Sequence, residues 1–292
     1  LHIVPLAGVR LAAIPDRPTG GQGIHDSRRD FIPLDGEMDF YLGTHQPHWL
    51  RKLDVPMMVS HRRLRHYKTL PVAQAGWMLD SGGFSELSMF GEWTVSETDY
   101  VKAARRYVDE TGKLEFASVQ DWMCEPFIIN KTGLTVKEHQ HRTIMSWLSL
   151  NMRDPSLPWF PVLQGFSMDD YLRHLEMYDQ AGVELQEQQR VGLGSVCRRQ
   201  ATGEIRSIVH RLSVEGLLLH GFGMKKQGLE ASGMFLASAD SMAWSFNARR
   251  VPPLEGCSHK TCNNCIKYAM KWRNGLASQN WGPRDHQTVM AI

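Results

Sequence analysis

Short apolar stretches recur along the chain from residue 38 onward, and each of them runs into polar residues. Continuous apolar runs of this length, bounded by polar and turn residues, are typical of strands that are buried on both faces. The pattern therefore predicts eight strands, within residues 38–45, 55–64, 76–84, 114–122, 158–166, 190–196, 215–223 and 235–244.

Amphipathic segments lie between most of these runs, and their spacing predicts helices within 96–110, 135–150, 167–182 and 203–212. The third of them has clear end signals. Ser167 is a suitable N-cap, Asp169 and Asp170 stand in the first turn, and Gly182 follows the last turn. The connections after the first and second strands are short, so we expect stunted helices there.

Eight buried strands that alternate with helices predict an α/β fold with a parallel sheet, and eight is the number that closes a (β/α)8 barrel. An open doubly wound sheet is the alternative. The glycine-poor first turn, GTHQPH, argues against a dinucleotide-binding fold. We place a loop-like extension at 1–37, the barrel at 38–250 and a zinc-binding subdomain at 251–292.

Polar side chains follow the predicted strands where each one ends. In a barrel these ends share one face, where active sites lie. Carboxylates brought together raise one another's pKa, so that one can act as an acid while another stays ionised. A single aspartate in such a place is as often a helix cap. Here, however, three aspartates and three other polar residues are expected to converge on one face: Asp80, Asp121, Gln164, Ser195, His220 and Asp240.

Glycines accompany these polar groups in the segments DSGGF and LQGF. They suit either tight turns or the close approach of a flat ligand, on which Phe84 could stack.

Basic residues also follow particular strands and would form a positive rim on the same face, suited to a phosphate backbone. Each cluster alone is more often ordinary surface. The residues are Arg62, Arg63, Arg65, Lys68, Arg198, Arg199, Lys225, Lys226, Arg249 and Arg250.

The composition of the 292 residues, with 42% hydrophobic and 22% charged residues, indicates a globular protein. No apolar run approaches the length of a bilayer span, and LHIVPLAGVR lacks the features of a signal peptide. We therefore expect a cytoplasmic protein, without a membrane partner. The net charge of +2 does not by itself indicate a nucleic-acid partner.

Three of the five cysteines stand within the nine residues CSHKTCNNC. Cys257, Cys262 and Cys265, with His286 as the fourth ligand, predict a closed tetrahedral zinc site, which is structural because no coordination position stays open. His259, inside the loop, is the competing imidazole.

The motifs DSGGF, SVQDWMCEP, VLQGFS, VGLGSV and LHGFG, in this order and followed by the cysteine cluster, resemble the tRNA-guanine transglycosylase superfamily over about residues 38 to 290. Members of this superfamily exchange a guanine in nucleic acid for a 7-deazaguanine through a covalent sugar–aspartate intermediate. The resemblance is greatest to the divergent branch that places deazaguanines in DNA, encoded by bacteriophages or by bacterial DNA-modification clusters.

The resemblance implies roles for several residues. Asp80 would be the general acid/base and Phe84 would stack on the base. Asp121 and Gln164 would bind the guanine edge. The backbone around Gly165 and Gly192 would help to bind the base. His220 stands where the family packs an apolar residue against the other face of the base.

The eighth strand departs from the family pattern. Two aspartates three residues apart are usual there, and the second is the nucleophile. This chain has Asp240 at the first place and Ala243 at the second. Asp240 is therefore the candidate nucleophile.

Four hypotheses follow from these observations. The first is a transglycosylase that exchanges guanine in DNA for a 7-deazaguanine such as 7-cyano-7-deazaguanine. The others are the same exchange on tRNA, a hydrolytic base glycosylase, and a non-catalytic nucleic-acid-binding barrel. Zinc is the expected metal, and other DNA-modification enzymes or a second copy of the chain are conceivable partners.

Overall fold

All strands of the structure belong to one parallel sheet. The structure is a computed structural model that describes residues 38–199 and 202–277. The strands are β1 Asp39–Thr44, β2 Met57–Ser60, β3 Trp77–Asp80, β4 Leu114–Ser118, β5 Trp159–Phe160, β6 Val162–Leu163, β7 Val191–Leu193, β8 Leu219–Gly221 and β9 Ser238–Ser241. Their order in the sheet is β5-β4-β3-β2-β1-β9-β8-β7-β6.

The two outer strands of this order, β5 and β6, are neighbours in the chain and are separated only by Pro161. Proline has no N–H for the sheet, so it interrupts the ladder without turning the chain away. The carbonyl of Pro161 still accepts from Gly192 N at 2.8 Å. β5 and β6 thus form one interrupted strand, and the sheet is a nearly closed barrel. This confirms the predicted (β/α)8 architecture over the open sheet.

Helices follow most of the strands, and short 3-10 segments stand at Pro47–Arg51, Leu185–Glu187 and Gly233–Phe235. The helices after β1 and β2 are stunted, as predicted: a 3-10 turn of 5 residues and a helix of 4 residues. The helices are α1 His61–Leu64, α2 Gly83–Phe90, α3 Glu97–Thr111, α4 Pro126–Thr132, α5 Val136–Arg153, α6 Met168–Gln180, α7 Gly203–Val214, α8 Lys226–Ser232, α9 Ala243–Asn247 and α10 Ile266–Ala277.

The end signals of α6 operate as the sequence predicts. Ser167 Oγ accepts from Asp170 N at 3.2 Å, and Asp170 Oδ2 accepts from Ser167 N at 2.9 Å. This reciprocal capping satisfies N–H groups that the first turn leaves without helical partners. Gly182 takes the left-handed conformation after the last turn, with φ at 75°.

The buried apolar residues form two large clusters, one centred on β1 to β5 and the other on β6 to β9. Both continue into α10, which places Trp272 against Phe40 at a ring separation of 5.9 Å. Within the described ranges, the structure contains no helix that is both long and apolar enough to cross a membrane. The predicted extension 1–37 lies outside the described residues.

Candidate functional site

A cavity of about 250 Å³ opens at the carboxyl ends of the barrel strands. Its walls bring together residues from β1, β2, β3 and β9 and from the loops that follow the strands. Six side chains singled out in the sequence contribute to it: Asp80, Phe84, Asp121, Gln164, Ser195 and Asp240. The predicted convergence of three distant aspartates on one face is therefore present in the structure.

Asp80 ends β3 and is held by the turn that follows it. Its Oδ1 accepts from Gly82 N at 3.0 Å. Burial raises the pKa of Asp80 above its ordinary value; hydrogen bonds from Gly82 and Ser60 oppose this, and the charge of Asp240 adds to it. Gly82 has φ at 90°, and a Cβ there would lie 2.9 Å from Arg62 Cγ, so the turn requires glycine.

Asp121 and Gln164 form a hydrogen-bonded pair on the cavity wall. Gln164 Nε2 donates to Asp121 Oδ2 at 2.5 Å, and Ser81 Oγ lies 3.4 Å from the other carboxylate oxygen. Burial, followed by the charge of Asp80, raises the pKa of Asp121 to about 7. The pair can therefore present a carboxylate and an amide together, or a carboxylic acid and an amide, close to neutral pH.

Asp240 lies on β9, and its Oδ1 accepts from Gly223 N at 2.7 Å. His220 Nε2 is 3.5 Å from the same oxygen, and His220 Nδ1 is 2.8 Å from Ser238 Oγ. Burial lowers the pKa of His220, which favours the neutral imidazole. Ala243 begins α9 and is not part of the cavity wall, whereas Asp240 is.

His220 does not reach the cavity where the sequence predicted a contact with the base. It is fully buried behind Asp240, with Phe222 against its ring at 4.9 Å. Phe222 lies in the cavity wall instead. The rings of Tyr41 on β1 and Phe160 on β5, each at 6.1 Å, enclose the His220 ring.

The two glycines whose surrounding backbone was predicted to help bind the base are not among the residues that line the cavity. A Cβ on Gly165 would meet Asp170 Cβ at 2.9 Å, and a Cβ on Gly192 would meet the Phe222 ring at 2.6 Å. Both glycines therefore serve close packing. Gly194 is one of the glycines that do line the cavity, and a Cβ there would lie 2.1 Å from Gln164 Nε2.

Ser195 lines the cavity and bonds Glu125, a residue that was not singled out from the sequence. Ser195 Oγ contacts Gln164 Oε1 at 2.7 Å and Glu125 Oε2 at 2.8 Å. Glu125 is only 4% exposed although it is a carboxyl group. The sequence signal was a glutamate within the quoted segment SVQDWMCEP, but nothing local indicates that it is buried.

Aromatic and basic side chains meet at the cavity mouth. The guanidinium of Arg198 lies over the rings of Phe84, at 5.4 Å, and Phe127, at 4.5 Å. Phe84 is 42% exposed, which leaves ring surface for a ligand.

The predicted basic rim divides into two groups. Arg62 is paired with Glu86, and Arg199 with Glu204 and the Phe166 carbonyl, so both have structural partners. Lys226 pairs with Glu230 at 3.6 Å but is exposed. The other members are partly or fully exposed: Arg63, Arg65, Lys68, Arg198, Lys225, Arg249 and Arg250.

A cluster of three cysteines and one histidine lies beyond α9. The ligand atoms of Cys257, His259, Cys262 and Cys265 all lie within 4.8 Å of one another. His259 Nε2 is 3.1 Å from Cys262 Sγ. Three sulfur donors and one imidazole at these separations suit a tetrahedral zinc ion, which would hold the loop together and supply no reactive position. The predicted ligand His286 lies outside the described residues.

A comparison with protein families identifies the chain. A family model described as DpdA, DeoxyPurine in DNA protein A, matches residues 37–291. The chain belongs to the DpdA family. The relationship to the transglycosylase branch that acts on DNA, predicted from the motifs, is thereby confirmed. No curated protein matches the sequence.

Membership of the DpdA family gives the cavity a context. It implies a role in inserting a deazapurine into DNA, with DNA and a deazaguanine base as substrates. The matched range includes both the carboxylates of the cavity and the cysteine cluster. The roles of the individual side chains are a separate question.

Proposed function

We propose that the chain exchanges guanine in DNA for a 7-deazaguanine base through a covalent intermediate between Asp240 and deoxyribose. One observation carries this proposal most directly. Asp80 and Asp240, 160 positions apart in the sequence, line one cavity, and the charge of Asp240 helps to raise the pKa of Asp80. Two carboxyl groups of different character at one sugar are what a two-step displacement needs.

Asp240 is suited to the role of nucleophile. The N–H of Gly223 fixes its Oδ1, so the carboxylate is oriented before the substrate arrives. In the first step a bond forms between the Asp240 carboxylate and C1′ while the bond from C1′ to guanine breaks. The charge that develops on the sugar resembles that of an oxocarbenium ion.

Asp80 is suited to the role of general acid and base. Because burial raises its pKa, it can hold a proton to give to the departing guanine. In the second step its carboxylate takes a proton from the ring nitrogen of the incoming deazaguanine. That nitrogen attacks C1′ and releases Asp240. Two inversions leave the configuration of the glycosidic bond unchanged.

Asp121 and Gln164 provide the groups for base recognition. Guanine and 7-deazaguanine share an edge with a ring N–H, an exocyclic amine and a carbonyl oxygen. An ionised Asp121 accepts from N–H groups, and the Gln164 amide supplies a directed donor beside it. Phe84 offers an aromatic face at the mouth.

The target nucleotide has to leave the DNA stack to enter a cavity of this size. Arg198, held over Phe84 and Phe127, places a cation and two rings where the duplex would be opened. The exposed basic residues nearby would hold the phosphates on either side.

Labelled-base incorporation tests the proposal. We expect labelled 7-cyano-7-deazaguanine to enter duplex DNA with release of one guanine per base incorporated, and Asp240→Asn to abolish incorporation. Asp109→Asn, an exposed aspartate on α3, is the matched control and should retain activity. Label that enters only tRNA would overturn the DNA assignment, and abasic sites without incorporation would indicate a hydrolase.

A further inference from the structure

Glu125 is a buried carboxyl group that the proposed reaction does not use. It stands between β4 and α4, is 4% exposed and lies behind the cavity wall. Its Oε1 has no hydrogen-bond partner among the described residues. A buried ionised carboxylate with a bare oxygen carries a large desolvation cost, whereas a neutral carboxylic acid does not. The burial of Glu125 therefore needs an explanation.

The hydroxyl of Ser195 has three partners, and their number restricts the protonation state of Glu125. Cys124 N donates to Ser195 Oγ at 2.8 Å. The other two partners are Glu125 Oε2 at 2.8 Å and Gln164 Oε1 at 2.7 Å. A hydroxyl donates one hydrogen and accepts two, so Ser195 can donate to one of these oxygens only.

The orientation of the Gln164 amide decides where the hydrogen goes. Gln164 Nε2 donates to Asp121 Oδ2, so Oε1 is the atom that faces Ser195, and it needs a donor. If Ser195 donates to Gln164, its remaining acceptor position faces Glu125, which must then be the donor. Only a neutral Glu125 has a hydrogen to donate.

The backbone of Ser195 shows that its hydroxyl is held in place. Its φ is 58°, in the left-handed region that costs a residue with a side chain about 1–2 kcal/mol. Such a conformation persists where surrounding contacts determine it, and the three hydrogen bonds of the hydroxyl do so here. The serine is held in an unfavourable conformation at the point where its hydroxyl joins Glu125 to Gln164.

We propose that Glu125 is a positioning residue that stays a neutral carboxylic acid and donates to Ser195, which donates to Gln164, which in turn orients Asp121 toward the base. This series of hydrogen bonds, Glu125–Ser195–Gln164–Asp121, is called the relay below. Its relevance to base binding rests on the proposed function. The protonation state of Glu125 does not depend on the proposed function.

The charged surroundings of Glu125 set the pH at which the relay is lost. Burial raises the pKa of Glu125, and the guanidinium groups of Arg198 and Arg199 oppose this. When Glu125 ionises, the Ser195 hydroxyl donates to Glu125 instead of to Gln164. Gln164 Oε1 then loses its donor and faces a lone pair of Ser195 Oγ. Compared with Glu125→Gln, in which position 125 cannot ionise, base binding by the wild type should therefore weaken as pH rises through the raised pKa of Glu125. The ionisation of Asp121 affects both proteins alike. The groups that face Glu125 are Asp121, Cys124, Tyr171, Cys197, Arg198 and Arg199.

Infrared spectroscopy tests the protonation state without any substrate. The difference between the wild-type spectrum and that of Glu125→Gln at neutral pH should contain the carbonyl stretch of a neutral carboxylic acid. The other buried carboxyl groups cancel in this difference. A difference that contains only the bands of an ionised carboxylate would overturn the proposal, whatever the enzyme acts on.

Calorimetric binding of 7-cyano-7-deazaguanine tests the positioning role. Glutamine keeps a donor at position 125, so Glu125→Gln should bind the base within about twofold of wild type and lose the weakening at high pH. Glu125→Ala and Ser195→Ala should each weaken binding by about tenfold. Glu176→Gln, an exposed glutamate on α6, is the control.

The outcomes separate the two proposals. If Glu125→Gln weakens binding as much as Glu125→Ala, with both variants folded by circular dichroism, the relay is wrong. If the wild-type protein binds no deazaguanine at all, the proposed function fails, while the infrared result still decides whether Glu125 is neutral.

Discussion

Asp80, Asp121 and Asp240 are the same kind of side chain, and their surroundings give them different properties. Burial raises the pKa of Asp80 and of Asp121, while Asp240 is fixed through its Oδ1 by a backbone N–H. A general acid needs a proton at neutral pH, and a nucleophile needs a free, oriented carboxylate. The burial of Asp80 and the fixed orientation of Asp240 are what the proposed roles of general acid and nucleophile would use.

The raised pKa of Asp121 makes the stability of the fold depend on pH. Between the ordinary value of 3.8 and about 7, the folded protein keeps a proton that the unfolded chain has lost. The free energy of unfolding should therefore fall as pH rises through this interval. Asp121→Asn cannot ionise, so its stability should decline less than that of wild type. Chemical denaturation at about pH 5 and about pH 8 measures this. An equal decline in both proteins would contradict it.

At the scale of elements, the sequence predicts those features that depend on neighbouring residues in the chain, such as the positions of strands and the ends of helices. Buried apolar runs locate the strands, and Ser167 with Gly182 locates the ends of α6. Local patterns do not say which of two alternating positions faces a ligand. Gly192 and Gly194 belong to the same motif, yet one packs against Phe222 and the other borders Gln164. That difference depends on neighbouring strands and appears only in the fold.

The same limit applies to Glu125 and His220. Each is polar in the sequence and buried in the structure, because residues distant in the chain supply their partners: Ser195 for Glu125, Ser238 and Asp240 for His220. The aspartates were easier to predict since each directly ends or follows an apolar run, and barrel topology alone brings those positions to one face.

Gly194, which directly follows β7, lies close to Gln164 and gives a test of the site. In Gly194→Ala the new Cβ would lie 2.1 Å from Gln164 Nε2 and would displace the amide from Asp121. We expect the affinity for a deazaguanine base to fall by about tenfold or more, the contribution of a hydrogen bond to a charged group. Gly203→Ala has open space around its Cβ and is the matched control. Equal binding by both variants would show that Gln164 does not contact the base.

The cysteine loop is an element whose order should depend on metal. Cys262 is fully buried in the cluster, and Asn264 of the same loop bonds His45 after β1. We expect one zinc per chain by elemental analysis, lost in Cys262→Ser together with thermal stability.

The imidazole ligand of the cluster can be assigned by substitution. His259→Ala should weaken zinc binding, because His259 Nε2 stands among the three sulfurs. His286→Ala is the comparison, measured by competition with a chelator. Loss of zinc in His286→Ala but not in His259→Ala would assign the fourth position to the carboxyl-terminal histidine.

At the scale of the whole molecule, the positions of the basic residues matter more than the net charge. The net charge is only +2, yet exposed basic residues cluster after strands that end at the cavity. Arginines that already bond a carboxylate, such as Arg62 with Glu86, offer less to a phosphate. The DNA contacts are therefore expected from the exposed members of the rim.

Salt dependence measures how many phosphates the rim neutralises. Replacing both Arg249 and Arg250 by alanine should weaken DNA binding and reduce the slope of log affinity against log salt by about one for each phosphate that the variant no longer neutralises. Arg211→Ala removes an arginine of α7 that is paired with Glu215, and it should leave the slope unchanged. Fluorescence anisotropy over a salt series gives both slopes, and an unchanged slope in the double variant would exclude this part of the rim.

The covalent intermediate is the central claim, and trapping it tests the account most directly. The protein is mixed with duplex DNA, denatured rapidly and digested, and mass spectrometry locates the deoxyribose adduct. The account predicts an adduct on the peptide that contains Asp240, absent in Asp240→Asn and present in Asp109→Asn. An adduct on any other side chain, or base exchange that persists in Asp240→Asn, would contradict it.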